Sequence, residues 1–440
     1  MKNSDKKLVL NKNIDIKYDV DVFVAGGGAA GVAAAVACAR QGRTVFLAEA
    51  TGCFGGLGTS GLVPAFAPFD NGVDIVAAGI GYEIRKNVSK NQPLNAYWAR
   101  INVEELKREY DRIVKEAGVQ FSFFTTLCEV LTDNGHVEGV VLYAKSGMFG
   151  VKASVYIDCT GDGDLCAMAG ANFEKGDSNG NVMPPTLCSL WSNLSPEEIK
   201  KNKCSQNAYI EQAYKDGVLT HEDRHLPGFF PHENGIGGGN IGHIFNVDPL
   251  DETSLTEAMI WGRKSMLEYE QYYKKYMHGY EKIYLCSTAS ILGVRESRRI
   301  VCDYMLNVQD FINRAIFDDE IGRYSYPIDI HVTNTSKDEY DRFLREYEKD
   351  YKYEKGESYG IPYRSLIPKK LNNVLVAGRC IGTDKPMQAS IRVMPGCFIT
   401  GQAAGVAAAL ACEKKNVRSV DFDQLQQNLK ELGAYLPNRR

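Results

Sequence analysis

Three glycines and one acidic residue near the start of the chain have the types and the spacing of a dinucleotide-binding site. Gly26, Gly28 and Gly31 follow the order G-x-G-x-x-G, and Glu49 comes about 20 residues later. In such a site the first glycine allows a tight turn, the second lets the backbone approach a pyrophosphate, and the third lets a helix pack closely on a strand. The carboxylate accepts hydrogen bonds from ribose hydroxyls and repels a 2′-phosphate. The spacing therefore predicts a dinucleotide with an unmodified ribose.

The segments around these residues have the pattern of a βαβ unit, which would hold them in place. Residues 20–25 form a short apolar run, which predicts a buried parallel strand. Residues 29–39 are small and predict a helix that ends at Gly42, and residues 44–48 predict the second strand. The amides and the positive end of the helix dipole would then face the phosphates.

The same glycine order occurs a second time, at Gly237, Gly239 and Gly242. No apolar strand precedes this copy, and no helix of small residues follows it. We therefore predict a glycine-rich loop there and not a second binding site.

The composition is that of an ordinary globular protein and limits the classes of partner. The chain has 440 residues, enough for two interlocked domains or one large α/β body. Its formal net charge of −4 gives no general attraction for nucleic acid or anionic membranes. The N-terminal segment lacks the apolar core of a signal peptide, and no run reaches the roughly 18 apolar residues of a membrane span. We therefore expect a cytoplasmic protein without a membrane span.

The twelve cysteines include no C-x-x-C pair, so the sequence predicts no metal site. Most of them are expected to be reduced and buried as small apolar side chains. Cys53 differs because it lies in a glycine-rich segment, residues 51–66, whose bare backbone suits passage under a flat or phosphorylated ligand. Its thiol is therefore either a redox partner of a bound cofactor or a packing residue.

Further strands and helices follow, and some of them lead into other glycine-rich turns. Residues 103–117 predict an amphipathic helix, and short β runs with a hairpin turn come after it. Residues 155–157 predict a strand that leads into Asp158-Cys159-Thr160-Gly161-Asp162. Residues 373–377 predict another buried strand, and residues 395–411 end in a helix rich in glycine and alanine.

Together with the βαβ unit, several sequence blocks resemble the FAD-dependent oxidoreductase family, within the glutathione-reductase-like flavoproteins. The blocks are Gly55-Gly56 and residues 158–164, 293–301, 361–368, 373–382 and 390–405. Their order along the chain is more specific than any single glycine pattern. The resemblance implies FAD as the cofactor. It also implies an α/β fold: a Rossmann-like FAD-binding domain with a parallel sheet and a small antiparallel β element.

Residues 176–350 differ in composition from the segments on either side. Their charged and aromatic content rises, and a long helix is expected over residues 254–277. We interpret this segment as an inserted α+β substrate or cap domain over the open side of the cofactor. The expected division is a first FAD-binding part in residues 1–175, the insertion in residues 176–350, and a return segment in residues 351–440.

The resemblance also implies a set of FAD contacts. These residues are Gly26, Gly28, Ala29, Ala30, Gly31, Glu49, Ala50, Gly55, Gly56, Thr59, Leu127, Cys128, Thr160, Gly161, Asp162, Gly378, Gly401, Gln402 and Ala403. Either Leu127 or Cys128 would lie near the adenine, and Gly401-Gln402-Ala403 would lie near the flavin ring.

Four arginines are candidates for binding an anionic substrate, because a guanidinium offers planar, bidentate donors to a carboxylate or phosphate. They are Arg295, Arg298, Arg299 and Arg392, of which Arg392 is also a candidate for catalysis. A salt bridge to a nearby acid is the alternative role for each.

Lys385 stands where the resembled family commonly has a histidine, so the identity of the acid–base residue stays open. A cationic lysine cannot act as a base until its pKa is lowered. His243 and Tyr363 are the other candidates, and a structural role is the alternative for each of them.

The sequence therefore predicts an FAD-dependent oxidoreductase that transfers a hydride between a small polar or anionic organic substrate and the flavin. No second dinucleotide-binding βαβ unit is visible, so the electron acceptor or donor is left open. A lyase or hydratase with a structural, non-redox FAD is the alternative. Nucleic acid is not an expected partner, and a homo-oligomer is compatible with the sequence.

Overall fold

The computed structural model describes residues 8–223, 226, 228–336, 338, 341 and 351–437. Its helices are Ala29–Arg40 (α1), Ile80–Val88 (α2), Val103–Glu116 (α3), Asp164–Met168 (α4), Pro196–Asn202 (α5), Ile210–Lys215 (α6), Glu252–Tyr276 (α7), Val308–Ile312 (α8), Lys385–Ile391 (α9), Met394–Ala411 (α10) and Phe422–Glu431 (α11). Its strands are Ile16–Ala25 (β1), Val45–Ala48 (β2), Ala65–Phe66 (β3), Ala99–Arg100 (β4), Gln120–Ser122 (β5), Thr126–Asp133 (β6), His136–Ala144 (β7), Gly147–Asp158 (β8), Phe173–Lys175 (β9), Ser189–Ser192 (β10), Gly228–Pro231 (β11), Gly237–Asn240 (β12), Tyr284–Thr288 (β13), Arg298–Ile300 (β14), Glu320–Tyr324 (β15), Tyr359–Pro362 (β16) and Val374–Val376 (β17).

The main sheet has a parallel half in the order β5-β2-β1-β8, with β17 paired to the last residues of β8. Its strands are short apolar runs because both faces are covered. Ala25 pairs with Ala48 on one side and with Asp158 on the other, and Asp158 also pairs with Val376. The carboxyl ends of four strands therefore meet at one edge, which is where ligands bind in open α/β sheets.

The first residues of β8 pair with β7 instead, and β7 pairs with β6, so an antiparallel element adjoins the parallel half. The β6–β7 turn contains Asn134 and Gly135, both with positive φ, as a tight hairpin requires. The fold is the expected α/β arrangement: a Rossmann-like, largely parallel sheet with a small antiparallel β element.

Helix α10 returns to the first βαβ unit and packs on α1. A Cβ on Gly401 would lie 2.2 Å from the carbonyl oxygen of Ala30, and one on Gly405 would lie 2.2 Å from that of Ala34. Only glycine permits this approach of two helix backbones. By length and hydropathy α10 could cross a membrane, but 89% of it is buried inside the described fold, as in the core helix of a globular protein.

A second cluster of buried apolar side chains, from Leu187 to Val294, is separate from the core of the main sheet. It contains helix α7 and the antiparallel sheet β11-β12-β10-β13. The buried residues from Ile300 to Ile328 belong to the first cluster, although they fall inside the predicted insertion. The boundaries at residues 176 and 350 stay a prediction.

The second glycine pattern is a correction to the sequence prediction, because Gly237–Asn240 is a strand and not a loop. A Cβ on Gly238 would lie 2.3 Å from the Cβ of Pro64, and one on Gly239 would lie 2.8 Å from the Oγ of Ser189. The glycines let this strand pass close to its neighbours, a use that sequence alone does not distinguish from a flexible loop.

Candidate active site

A cavity of about 570 Å³ lies at the carboxyl edge of the main sheet. Its wall combines the turns after β1, β2, β8 and β17 with residues of the second apolar cluster, such as Leu255 and Val294. This volume lies within the range of roughly 300–1,000 Å³ for small-molecule and cofactor sites.

The turn after β1 has the geometry that its three glycines predict. Gly26 has a φ of 90°, and a Cβ on Gly31 would lie 1.8 Å from the carbonyl oxygen of Gly26. A Cβ on Gly28, by contrast, would meet no atom within 4 Å, and Gly28 lines the cavity. Gly28 is also the N-cap of α1 and provides no side-chain cap. The first amides of this helix are thus available to an anion in the cavity.

Glu49 follows β2 and also lines the cavity, with only 6% of its surface exposed. Its Oε2 accepts from the Gly27 amide at 2.8 Å, and its Oε1 accepts from the Thr51 amide at 2.7 Å. These bonds fix the carboxylate, and each oxygen keeps a second lone pair that can accept from a ribose hydroxyl.

The turn after β8 is fixed from behind by a buried carboxylate. Asp158 accepts from the amide and hydroxyl of Thr160 and from the Cys166 amide. Burial raises the pKa of Asp158, whereas these hydrogen bonds favour its charged form. Gly161 has a φ of 81°, and Asp162 accepts from Arg379. Thr160, Gly161 and Asp162 consequently form one stretch of the cavity wall.

These turns fit FAD. The uncapped start of α1 faces the cavity beside Gly28, where the backbone leaves room for a pyrophosphate. The Glu49 carboxylate, with its free lone pairs, lies on the same wall. Across the described residues, no group of three or more His, Cys, Asp or Glu side chains could hold a metal ion.

Four polar residues form another part of the wall: Arg295, Asp329, His331 and Arg392. Nη1 of Arg295 donates to the Pro184 carbonyl and to the Thr186 hydroxyl, both at 2.8 Å. Nη2 of Arg392 donates to the backbone oxygen and to Oδ2 of Asp329, both at 3.0 Å.

The charges of this group shift one another's pKa values. Burial and the positive charge of Arg392 lower the pKa of Arg295 to about 10. Burial would raise the pKa of Asp329, but contact with His331 and the charges of Arg392 and Arg295 hold it well below its usual range. Burial, reinforced by the charge of Arg295, lowers the pKa of His331 well below its usual range. Near pH 7 the group therefore contains two cations, one carboxylate and a neutral imidazole.

Behind His331, further from the cavity, lie His243 and Asp223. His331 Nδ1 is 2.6 Å from His243 Nε2, and His243 Nδ1 is 3.0 Å from an oxygen of Asp223. On the other side, His331 Nε2 is 3.5 Å from Oδ1 of Asp329. Four side chains thus form one row, in which Asp223, His243 and His331 are buried and Asp329 is partly exposed.

Most of the residues implied as FAD contacts, and two of the predicted arginines, line the cavity. They are Gly26, Gly28, Ala29, Ala30, Glu49, Ala50, Gly55, Gly56, Leu127, Thr160, Gly161, Asp162, Gly378, Arg295 and Arg392. Leu127 and Cys128 separate as strand alternation requires, since Leu127 lines the cavity and Cys128 is exposed.

Other implied FAD contacts lie outside the lining and have contacts of their own. Gly31 packs against the turn of Gly26, and the Thr59 hydroxyl donates to the Phe54 carbonyl at 2.6 Å. Gly401-Gln402-Ala403 is buried in α10, where Gly401 approaches α1. The Gln402 side chain accepts from the Ile80 amide at 2.8 Å. The small residues of α10 therefore serve helix packing at these positions.

Two catalytic candidates lie away from the cavity wall. The Tyr363 hydroxyl is buried and donates to the Val417 carbonyl at 2.8 Å, and burial raises its pKa well above the usual range. Lys385 lies 3.9 Å from the carboxylate of Glu296. These contacts differ from the expectation of a role beside the flavin.

Three more candidates also lie outside the lining. Arg298 donates to the carboxylate of Asp164 at 2.7 Å, which is the salt-bridge alternative. The Cys53 thiol lies 3.3 Å from the Ser60 hydroxyl, and none of the cysteines forms a disulfide. His243 is in the buried row, one residue removed from the cavity.

Asp329 and His331 are cavity residues that the sequence analysis missed. They lie two residues apart in a segment without a glycine motif, where they alternate with Ile328, Ile330 and Val332. This alternation and the D-x-H spacing were the available signals, and by themselves they are too common to indicate a site.

Comparison with known proteins gives a family match and several distant structural similarities. A family model described as FAD dependent oxidoreductase matches residues 21–429. A search of curated protein sequences gives no match. The chain is similar to a geranylgeranyl bacteriochlorophyll reductase-like protein from Thermoplasma acidophilum, with 12% identity, coverage of 94% of this chain and 83% of that one, and a TM-score of 0.44.

Two other solved structures show similarity of the same order. For a flavin-dependent brominase the identity is 11%, the coverage is 94% of this chain and 83% of that one, and the TM-score is 0.44. For p-nitrophenol 4-monooxygenase from Pseudomonas putida DLL-E4 the identity is 10%, the coverage is 94% and 84%, and the TM-score is 0.43. The family match extends from β1 to α11. The chain therefore belongs to the FAD-dependent oxidoreductase family and is an enzyme that uses FAD.

Proposed function

We propose that the enzyme transfers a hydride between a small anionic organic substrate and FAD, with Arg295 and Arg392 holding the anionic group. The observation that carries this proposal is the excess of positive charge in one part of the cavity wall. Among three lining residues of this part, Arg295 and Arg392 each carry a positive charge. Asp329 carries the negative charge.

Buried cations are costly unless they are paired and hydrogen-bonded. Only 7% of Arg295 is exposed, and the hydrogen bonds of its guanidinium go to neutral oxygens. Nε of Arg392 is buried and has no hydrogen-bond partner among the described residues. A substrate carboxylate would satisfy this donor and place a negative charge beside the two guanidinium groups, which favours an acid over a neutral substrate.

When bound, FAD supplies the two-electron acceptor of the reaction. The chain's own residues have other roles. The turns at Gly26, Glu49 and Thr160 would hold the cofactor, and Arg295 and Arg392 would orient the substrate. Apolar residues of the second cluster, such as Leu255 and Val294, form part of the same wall and would exclude water. The electron acceptor, a cytoplasmic location and a homo-oligomer stay predictions.

Anaerobic bleaching of the flavin absorbance tests this proposal. We would mix the holoenzyme with a panel of small 2-hydroxy and 2-amino carboxylates and with their uncharged amides. We expect at least one acid to bleach the flavin and its amide to be much slower. Bound acids that leave the flavin oxidised would instead favour the non-redox lyase or hydratase.

Arg392→Ala should weaken binding of the active acid by roughly 10–100-fold, from about 1.5–3 kcal/mol for a hydrogen bond to a charged group. Arg392→Lys keeps the charge but loses the planar donors, so we expect an intermediate loss. Arg112→Ala is the matched control, because Arg112 forms surface ion pairs on α3. Unchanged affinity in Arg392→Ala, with FAD fully retained, would refute the assignment of Arg392.

A further inference from the structure

We infer that Nε2 of His331 takes up the proton that the substrate releases, and that Asp223 and His243 position it by fixing its tautomer. The inference rests on the proposed function and adds the acid–base residue to it. Among the histidines of the described residues, His331 is the one in the cavity lining.

Asp223 lies at the buried end of the row. Its two carboxylate oxygens lie 3.0 and 3.1 Å from Nδ1 of His243, and one of them also accepts from the His243 amide at 2.6 Å. A carboxylate can only accept hydrogen bonds. The proton of this contact therefore belongs to Nδ1 of His243.

The next contact follows from the first. A neutral imidazole with its proton on Nδ1 has a lone pair on Nε2. Nε2 of His243 lies 2.6 Å from Nδ1 of His331, and against this lone pair His331 would be the donor. With its proton on Nδ1, a neutral His331 has its lone pair on Nε2.

The contact between His331 and Asp329 is where a further proton on His331 would be stabilised. Nε2 of His331 is 3.5 Å from the carboxylate, longer than the 2.7–3.2 Å of an ordinary hydrogen bond. A proton on Nε2 would turn this contact into a charge-assisted hydrogen bond, for which shorter distances are usual.

Charged groups near His331 set its protonation state. Arg295 opposes a positive charge on the ring, whereas Asp329 favours one. His243 opposes it from behind. Burial and Arg295 lower the pKa of His331 well below its usual range, so the ring is neutral near pH 7.

The row is therefore built to take one more proton. With one proton on each ring, protons would lie in the Asp223–His243 and His243–His331 contacts, and Nε2 of His331 would keep a lone pair toward Asp329. A proton arriving at Nε2 of His331 would fill this last contact and would be stabilised by Asp329. The acceptor atom belongs to a residue in the wall that also contains Arg295 and Arg392.

The step balances for a 2-hydroxy or 2-amino acid. The C–H bond at carbon 2 breaks and its electron pair leaves as a hydride, which FAD accepts. The O–H or N–H bond breaks and its proton goes to Nε2 of His331. The electrons of that bond form the new C=O or C=N bond, so the substrate is oxidised by two electrons.

The tautomer can be tested without turnover. Ring nitrogens that carry a proton differ in ¹⁵N chemical shift from those with a lone pair, so we would label the seven histidines of the holoenzyme with ¹⁵N. His331→Gln assigns the signals of His331 by their loss. At pH 7.5 we expect Nδ1 of His331 to be protonated and Nε2 to be unprotonated. A proton on Nε2 in the unliganded holoenzyme would overturn the proposal.

Variants of the row test the positioning role. Asp223→Asn and His243→Gln should leave the cavity wall in place but no longer fix the tautomer of His331. The ¹⁵N signals of His331 should then be those of a mixture of its two tautomers. His278→Gln removes an exposed histidine beside Glu281 and should leave them unchanged. Unchanged signals in both row variants would remove Asp223 and His243 from the mechanism.

Turnover separates this inference from the proposed function. If an acid of the panel bleaches the flavin, His331→Gln should slow bleaching by about 10²–10⁴-fold, as for loss of a general base. The two row variants should slow it less and shift its pH dependence. Bleaching of His331→Gln at the wild-type rate would overturn the role of His331 and leave the proposed function standing. If no acid bleaches the wild type, the proposed function fails, and proton uptake from these acids fails with it. The ¹⁵N shifts still decide the tautomer of His331 in that case.

Discussion

Gly28 and Gly31 lie three residues apart at the first turn of α1, and substitutions at the two positions should have opposite effects. A Cβ at Gly28 would meet nothing within 4 Å, and the backbone there, with φ −67° and ψ −173°, is extended and suits valine. Gly28→Val should therefore leave the fold intact. Its branched side chain would instead occupy the space beside the first amides of α1, where the pyrophosphate must bind.

The expected loss of FAD affinity follows from the contacts that this side chain would block. A hydrogen bond to a charged group contributes about 1.5–3 kcal/mol, so the loss of two such bonds costs at least about 3 kcal/mol. This corresponds to a roughly 100-fold increase in the Kd for FAD. The free energy of unfolding of the apoprotein should stay within about 0.5 kcal/mol of wild type, as for most substitutions that create no clash.

Gly31→Ala provides the contrast. Its Cβ would lie 1.8 Å from the carbonyl oxygen of Gly26, so the helix must move away from the strand. Overpacking of this kind costs about 1–3 kcal/mol, and a backbone atom cannot move aside as a side chain can. The apoprotein itself should be destabilised, with Tm lower by about 1–3 °C.

The assays are thermal unfolding of the two apoproteins and titration with FAD followed by flavin fluorescence. Gly28→Val should change only the titration with FAD, whereas Gly31→Ala should change both the titration and the thermal unfolding. Wild-type affinity for FAD in Gly28→Val would place the pyrophosphate elsewhere. Equal destabilisation of the two apoproteins would show that the space beside Gly28 is needed by the fold itself.

Two further predictions concern single side chains of the cavity. Glu49→Ala should raise the Kd for FAD through a loss of about 1–3 kcal/mol, measured by equilibrium dialysis, and unchanged retention would mean that this carboxylate does not contact the ribose. His331 is neutral in the folded enzyme and protonated in the unfolded chain below about pH 6.5, so its contribution to stability is present above that pH and is lost as the pH falls. Below pH 6.5 the free energy of unfolding of the wild type, measured with urea, should therefore fall by up to about 1.4 kcal/mol per pH unit more than that of His331→Gln. An equal pH dependence in the two proteins would show that His331 is charged in the folded enzyme.

The first binding turn was predictable from sequence because its requirements are local. The G-x-G-x-x-G order, an apolar strand before it and small residues after it together define one βαβ unit, and Gly31 needs no more than contact with Gly26 to show its role. The position of Glu49 follows from the same unit, because it comes directly after the neighbouring parallel strand. Short-range spacing therefore predicted these residues and the class of fold.

The structural role of a glycine or alanine pattern was ambiguous wherever the residue that it contacts is distant in sequence. Gly401-Gln402-Ala403 was expected beside the flavin, but Gly401 serves the approach of α10 to α1. Gly237–Asn240 was expected to be a loop, but it is a strand that packs close to Pro64. A small residue permits close contact with a ligand, a helix or a strand alike, so its type alone does not decide among them.

The acid–base row was decided by tertiary structure alone. Asp223, His243 and His331 come from separate segments and meet only because the second apolar cluster folds against the carboxyl edge of the main sheet. The protonation of His331 depends on burial and on the charge of Arg295, which are properties of the assembled site. Sequence by itself determined the dinucleotide-binding turn and the fold class, because spacing encodes local backbone geometry, and the family resemblance implied FAD. The atom that can receive a proton was decided only by the folded chain, because hydrogen-bond direction and desolvation arise when distant side chains come together.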